Sequence, residues 1–329
     1  MIEIVNRFKY VLLALLVIIL FLFIRKPSEI FIDDMIYLNE NFLEFYVKEA
    51  DTMEIYNDGD LVYKDELVDD YWFSAFHEDY LYENQLNDVE FVFLGDNFEK
   101  RVKAKNLLYT SNLNNKDLKK AEYFFLIGSH SSEDVFDSLS KSKLKLFVTE
   151  NFNDELDFAM VSKFKNLQAF SSDLSYAHKN IDSLSSNTNL KFLKLEELGQ
   201  ADMSFVKKLK DLIIIDFSLE GTFDFDLING LKSVTDVELR ADKYEGELKL
   251  KKLIYLYLSV DTEYPLNNFS NLKGDTLLHL TLDGPFNGSA TDLPEGPVLR
   301  NIYLRIDSYD DQGFNYLDEY PNLKELDID

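Results

Sequence analysis

The sequence predicts an α/β solenoid, in which the strands of a curved parallel sheet return through short helices or irregular segments. Three observations predict it. An apolar triplet, with two residues and then one between its members, recurs ten times between Ala121 and Ile328. The starts lie 23, 23, 23, 22, 22, 19, 24, 22 and 24 residues apart, the period of a stack of small repeats. Eight of the ten starts are Leu, although only 46% of the chain is hydrophobic.

The triplets begin as Ala121/Phe124/Leu126, Leu144/Phe147/Thr149, Leu167/Phe170/Ser172 and Leu190/Leu193/Leu195. They continue as Leu212/Ile215/Phe217, Val234/Val237/Leu239, Leu253/Leu256/Leu258, Leu277/Leu280/Leu282, Leu299/Ile302/Leu304 and Leu323/Leu326/Ile328. Leu190-Lys191-Phe192-Leu193-Lys194-Leu195 and Leu323-Lys324-Glu325-Leu326-Asp327-Ile328 resemble the strand motif of the leucine-rich-repeat proteins. The resemblance covers about 121–329 and implies a curved sheet that binds through its outward face. The family usually places Asn or Cys three residues after the last apolar position. Here those places hold Ser129, Phe152, Ser175, Leu198, Glu220, Asp242, Asp261, Pro285 and Asp307, so its ladder of buried Asn is absent.

The segments ahead of the repeats are read in chain order. Residues 1–9 form a short tail with Arg7 and Lys9. Tyr10 to Ile24 is an unbroken apolar run of 15 residues. As a helix it spans about 22 Å against a hydrocarbon core of about 30 Å. Phe8, with Lys9 and Arg25 snorkelling, makes up most of the difference. Leu22 to Pro27 offers no small residue for cleavage, which favours an uncleaved signal-anchor over 10–26. Arg7, Lys9 and the α-amino group ahead of the run oppose Arg25 and Lys26 behind it. That balance points to a single-pass protein with its bulk outside the cytoplasm.

Residues 27–110 read as an α+β cap for the apolar end of the first repeat. Asp33 or Asp34 can cap a helix carrying Met35, Leu38, Phe42 and Phe45. Thr52–Tyr56 and Leu61–Tyr63 flank Asn57-Asp58-Gly59-Asp60, a hairpin signal. Leu67, Val68, Tyr71, Trp72, Ala75 and Phe76 have helical spacing. Val89/Val92/Leu94 suggests a strand and Ala104/Leu107/Tyr109 a degenerate repeat. The solenoid is assigned to 111–329. Its last triplet has no closing repeat after it, and Glu325, Asp327 and Asp329 would blunt an edge strand there. The oligomeric state is left open.

Composition narrows the function. The net charge of −26, from 60 acids against 34 bases, repels nucleic acid, and it reads first as a solvated surface and second as an attraction for a basic protein partner. There is no Cys, which excludes disulfides, thiolate metal sites and Cys nucleophiles. Abundant Lys, Asn, Ile, Phe and Tyr suggest an AT-rich bacterial genome. His77, His130, His178 and His279 are scattered without metal spacing. Gly128–Asp134 reads as the Ser/Asp cap of a helix and not as a nucleophile loop. The acid spacing of Asp307–Gly313 fails as a calcium loop. No catalytic residue, metal or cofactor is expected.

Side chains between the apolar positions alternate outward. Two patches result. Tyr123, Phe125, Ile127, Leu146 and Val148 form an apolar one, either an interaction site or a surface that the N-terminal region folds over. Tyr255, Tyr257, His279, Asn301, Tyr303 and Arg305 form an aromatic one, flanked by Asp216, Asp236 and Glu238. The expectation is a non-enzymatic, membrane-anchored protein that binds a protein or polymer through this face. The alternatives are a structural or protective envelope factor, an antagonist occluding a partner, or an enzyme with its site in 27–110.

Overall fold

The computed structural model describes residues 28–29, 35–39, 42–46, 52–66, 72–76, 81–95, 98–174, 177–260, 276–284, 298–305 and 320–328. The expected anchor at 10–26 lies outside them, and no helix among the described residues is long and apolar enough to cross a membrane. The chain divides into two compact units. One comprises Met1–Ile36, Phe45–Phe73 and Asp88–Ala104, the other Tyr37–Glu44, Ser74–Asn87 and Lys105–Asp329.

The N-terminal strands are β1 (Ser28–Glu29), β2 (Met35–Asn39), β3 (Phe42–Tyr46), β4 (Thr52–Asn57), β5 (Asp60–Glu66) and β6 (Trp72–Phe76). After them come β7 (Leu86–Gly95) and β8 (Phe98–Thr110). Strands β2, β3 and β6 form a three-stranded sheet. This corrects the two expected helices, since Met35, Leu38, Phe42, Phe45, Trp72, Ala75 and Phe76 all lie in strands. Phe-Leu-Glu-Phe-Tyr and Trp-Phe-Ser-Ala-Phe are rich in aromatics, which suit a pleated surface, and this preference overrode the helical spacing. The expected hairpin is present. Strand β4 pairs antiparallel with β5, and Asn57 faces Asp60. Asp58 (φ 52°) and Gly59 (φ 94°) make the two-residue turn, both left-handed as a type I′ turn requires. Strand β4 also pairs antiparallel with β7.

In the second unit the parallel array begins at the end of β8, where Leu107–Thr110 pairs with β9 (Tyr123–Leu126). Leu108, not Leu107, lies level with Phe124, so the expected triplet Ala104/Leu107/Tyr109 is one residue out of phase. Asn106, inside β8, has a left-handed φ of 57° and disturbs the alternation just before it. A one-residue offset exchanges the two faces.

Each later repeat adds a strand, a turn and a short return. Helix α1 (Ser132–Leu139) follows β9, and β10 (Leu146–Asn151) follows the helix. The Ser131 hydroxyl accepts from the Asp134 N–H at the start of α1, the cap expected there. Next come β11 (Leu156–Asp157), α2 (Phe158–Val161), β12 (Ala169–Asp173), β13 (His178–Lys179) and β14 (Phe192–Glu196). The array continues with β15 (Ile214–Ser218), β16 (Thr222–Asp224), β17 (Asp236–Ala241), β18 (Lys243–Glu245) and β19 (Tyr255–Val260). It ends with β20 (His279–Asp283), β21 (Asn301–Arg305) and β22 (Glu325–Ile328). Strands β9, β10, β12, β14, β15, β17, β19, β20, β21 and β22 pair in parallel in that order. Short 3-10 turns replace helices in the middle repeats, at Ile181–Ser186, Met203–Lys208 and Phe225–Leu227.

Every triplet start up to Leu299 is buried, and so are the second and third members up to Leu304. They form one continuous core with Val135, Phe158, Leu184, Phe205 and Ile228 from the return segments. The places of the family's Asn are filled by other means. Phe152 and Leu198 are buried apolar plugs, and Asp242 accepts the Gly221 N–H at 2.6 Å.

A forked hydrogen bond ties each repeat to the next. The carbonyl of Glu122 accepts the N–H groups of both Lys145 and Leu146, and the Lys145 carbonyl accepts those of Gln168 and Ala169. The same fork recurs at Gln168, Lys191, Ile213, Thr235, Ile254, Leu278 and Arg300. At the turns, Asp157, Asp202 and Asp224 each accept, at 2.9 Å, the N–H two residues on. Asn180 occupies the equivalent place and donates to the Asp157 carboxylate at 2.9 Å. These four positions are 23, 22 and 22 residues apart, a second expression of the period.

Candidate functional site

The parallel register arranges the outward side chains in rows that run across the strands. One row reads Leu146, Ala169, Phe192, Ile214, Asp236, Tyr255, His279, Asn301, Glu325. The next reads Val148, Ser171, Lys194, Asp216, Glu238, Tyr257, Thr281, Tyr303, Asp327. Neighbours in a row stand one strand spacing, about 4.8 Å, apart. The sequence-derived aromatic patch and its acidic flank are therefore contiguous on one sheet.

Exposure along these rows is uneven. Tyr123, Phe125, Leu146 and Val148 are only 1–3% exposed, while Ile127 is half-buried. Of the two readings of this apolar patch, the burial of these four side chains fits a covered surface and not an open interaction site. Those four residues stand outside the repeat core, so β9 and β10 are buried on both faces. The same holds for Ala169, Phe192 and Ile214. Parallel strands covered on both faces carry near-continuous apolar runs, as Tyr123–Ile127 and Leu212–Ile215 do. From β19 onward the outward residues open up. Tyr255, Tyr257, His279, Thr281, Asn301 and Tyr303 are all half-buried, and Glu325 and Asp327 are exposed. Arg305 ends β21, and its side chain lies outside the described residues.

Between the covered and open parts lies a band of charge. Lys194 Nζ is 3.4 Å from Asp216 Oδ2 and 3.1 Å from Glu196 Oε1. Arg240 bonds Glu238 and lies 3.6 Å from Glu196 and 3.7 Å from Asp216. Its guanidinium also sits over the Tyr257 ring, 5.3 Å from the centroid. Burial pushes the Asp216 carboxyl up to about 6, aided by Glu238 and opposed by Lys194 and Arg240. Burial opposes the charge of Lys194, yet Asp216 and Glu196 hold its pKa above the usual value. Asp236 is 1% exposed, and burial pushes it up to about 7 although Thr235 Oγ1 donates to it at 2.6 Å. Burial and the nearby Asp283 raise the Tyr257 hydroxyl. That hydroxyl and Ser259 Oγ each donate to Asp283 Oδ2 at 3.3 Å.

This face offers aromatic rings, charge and hydrogen-bonding groups. Among the described residues no group of three or more His, Asp or Glu is placed to hold a metal ion. Two histidines serve the frame. His130 Nε2 contacts the Ile127 carbonyl at 3.1 Å, and His178 Nε2 the Leu198 carbonyl at 3.0 Å. His279 stands apart from them on the outward face, its ring 6.3 Å from that of Tyr255. His77 and Asp307–Gly313 lie outside the described residues. Sequence reasoning missed the roles of Lys194, Glu196 and Arg240 as a linked group. Their signal was present, because all three occupy outward positions, Lys194 and Glu196 on β14 and Arg240 two strands away on β17.

No family model and no curated protein matches the chain. Solved structures do. An internalin from Listeria monocytogenes is 15% identical, with 68% of this chain and 62% of that one covered and a TM-score of 0.42. A leucine-rich-repeat protein from Leptospira interrogans is 13% identical, with 66% of this chain and 79% of that one covered and a TM-score of 0.23. The chain thus spans about 62% of the internalin's length. Identity and TM-score are low for both, and the repeat period and parallel register of this chain carry the assignment on their own. The fold is leucine-rich-repeat-like.

Proposed function

We propose that the chain is a non-enzymatic binding protein that captures a protein partner on the open part of its sheet, from Tyr255 to Arg305. The change in exposure along the rows carries this reading. Along the two rows through Tyr255 and Tyr257, side chains are buried as far as Glu238, at 7% exposed, and become accessible from Tyr255 on. Tyrosines there combine large contact area with a polar tip and lose little conformational freedom on binding. The flanking Asp216, Asp236 and Glu238 are buried, but the exposed Glu325 and Asp327 beside the tyrosines and the net charge of −26 favour a basic partner and disfavour nucleic acid. The apolar run at 10–24 supports a single-pass anchor that holds this face at a membrane, outside the cytoplasm.

Capture from the native host by the full chain and by a Tyr255→Ala/Tyr257→Ala/Tyr303→Ala variant tests the reading. The expected result is loss of one partner with the thermal midpoint retained. Identical capture by both proteins overturns the assignment to this face. Extraction of the native membrane fraction with carbonate should leave the chain in the pellet, and its release would remove the anchor.

A further inference from the structure

We infer that the open face is built to take arginine side chains of an extended, basic segment of the partner, laid across strands β19 to β22. This rests on the binding face proposed above and names the chemistry it selects.

The chain carries its own example. Arg240 holds its guanidinium carbon over the Tyr257 ring, 5.3 Å from the centroid. Carboxylates of Glu238, Glu196 and Asp216 surround the same guanidinium. An aromatic face with carboxylates at its margin is thus what this sheet offers a guanidinium. A planar guanidinium can stack and donate in the same pose, whereas an ammonium is a hydrated point charge.

The motif repeats further along the row. Tyr303 stands two strands beyond Tyr257, with Asp327 beside it on β22 and Thr281 beside it on β20, where Asp283 is level with Arg305. Glu325 adds a carboxylate, its Oε2 accepting from Asn301 Nδ2 at 2.7 Å. The outward positions of these four strands are Tyr255/Tyr257/Ser259, His279/Thr281/Asp283, Asn301/Tyr303/Arg305 and Glu325/Asp327, and Arg305 is the one Lys or Arg among them. Tyr257 and Tyr303 are therefore about 10 Å apart along the row, at two strand spacings. Arg240 already covers the Tyr257 ring, and on an extended chain the side chains of one face recur every second residue, about 7 Å apart, so an alternating segment running along the row can set one guanidinium on Tyr303 and the next on the acids beside it.

The probes are two fluorescein-labelled octapeptides, one alternating Arg with Ser and one alternating Lys with Ser. Each is titrated into the full chain at 150 mM salt and followed by anisotropy. The Arg peptide should bind at least about five-fold tighter, since a stacked guanidinium gains where an ammonium does not. Tyr303→Ala and Asp327→Asn should each remove the preference, and Tyr303→Phe, which keeps the ring, should retain it. Equal affinity for both peptides would mean attraction by net charge alone and overturns the inference. So does a preference that survives Tyr303→Ala. If host capture still depends on the three tyrosines while no preference appears, the binding face stands and only its arginine selectivity falls.

Discussion

Lys194 and Asp216 meet across neighbouring strands at 3.4 Å, with side chains 6% and 0% exposed. A pair taken this far out of water is held by mutual compensation, and removing one member strands the other. Arg240, 3.7 Å from Asp216, supplies part of that compensation.

Replacing Lys194 with Met should therefore lower stability by about 3 kcal/mol, the lower end for breaking a buried pair. The double variant Lys194→Met/Asp216→Leu should recover most of that loss, because no buried charge is left unmatched. Urea midpoints of the parent and the two variants measure both effects. A single variant as stable as the parent would show that water reaches the pair.

Asp236 should make stability depend on pH in the direction opposite to most acids. Its folded pKa of about 7 lies above the ordinary 3.8, so between these values the folded chain holds a proton that the unfolded chain releases. Stability from this group is complete below about pH 4 and is lost as pH rises towards 7. The shift corresponds to roughly 4 kcal/mol at about 1.4 kcal/mol per pH unit. Asp236→Asn keeps an acceptor for Thr235 Oγ1 and should gain in thermal midpoint over the parent at pH 8 but not at pH 4. Parallel pH profiles for the two proteins would refute this.

Gly284 should resist substitution. With φ of 143°, it would bring an added Cβ within 2.5 Å of Val260 Cγ1 and 2.8 Å of the Val260 carbonyl oxygen. The left-handed backbone and the contact with a neighbouring strand end both oppose a side chain. Gly284→Ala should cost about 2 kcal/mol or more. Gly230, whose nearest neighbour to such a Cβ is the mobile end of Lys210 at 3.8 Å, should accept Ala without loss. Thermal midpoints of the two variants, compared side by side, decide it.

The repeat core was legible because its signal is long-range and redundant. A Leu placed every 22 residues or so, from Leu144 to Leu323, survives any single departure. The outward face was legible in position but only partly in exposure. Tyr255-Leu256-Tyr257-Leu258 alternates and is half-open, whereas Leu212-Ile213-Ile214-Ile215 does not alternate and is covered on both sides. Continuity of the apolar run was the usable sign, because a strand with one wet face has no use for it. The N-terminal strands were misread for a different reason. Trp72, Ala75 and Phe76 fall on a helical stripe by spacing, but short aromatic segments are where spacing alone cannot separate helix from strand.

The forked carbonyls, from Glu122 to Arg300, bind each repeat to the next and to nothing more distant. Every turn of the coil thus presents to its successor the same two acceptor directions that it met in its predecessor. Such a chain can lengthen or shorten by whole turns during evolution without redrawing any distant contact. The shortest turn, 19 residues from Val234 to Leu253, shows how far trimming can go while the register from β17 to β19 stays intact. Selection can therefore change the extent of the recognition face separately from the scaffold that carries it.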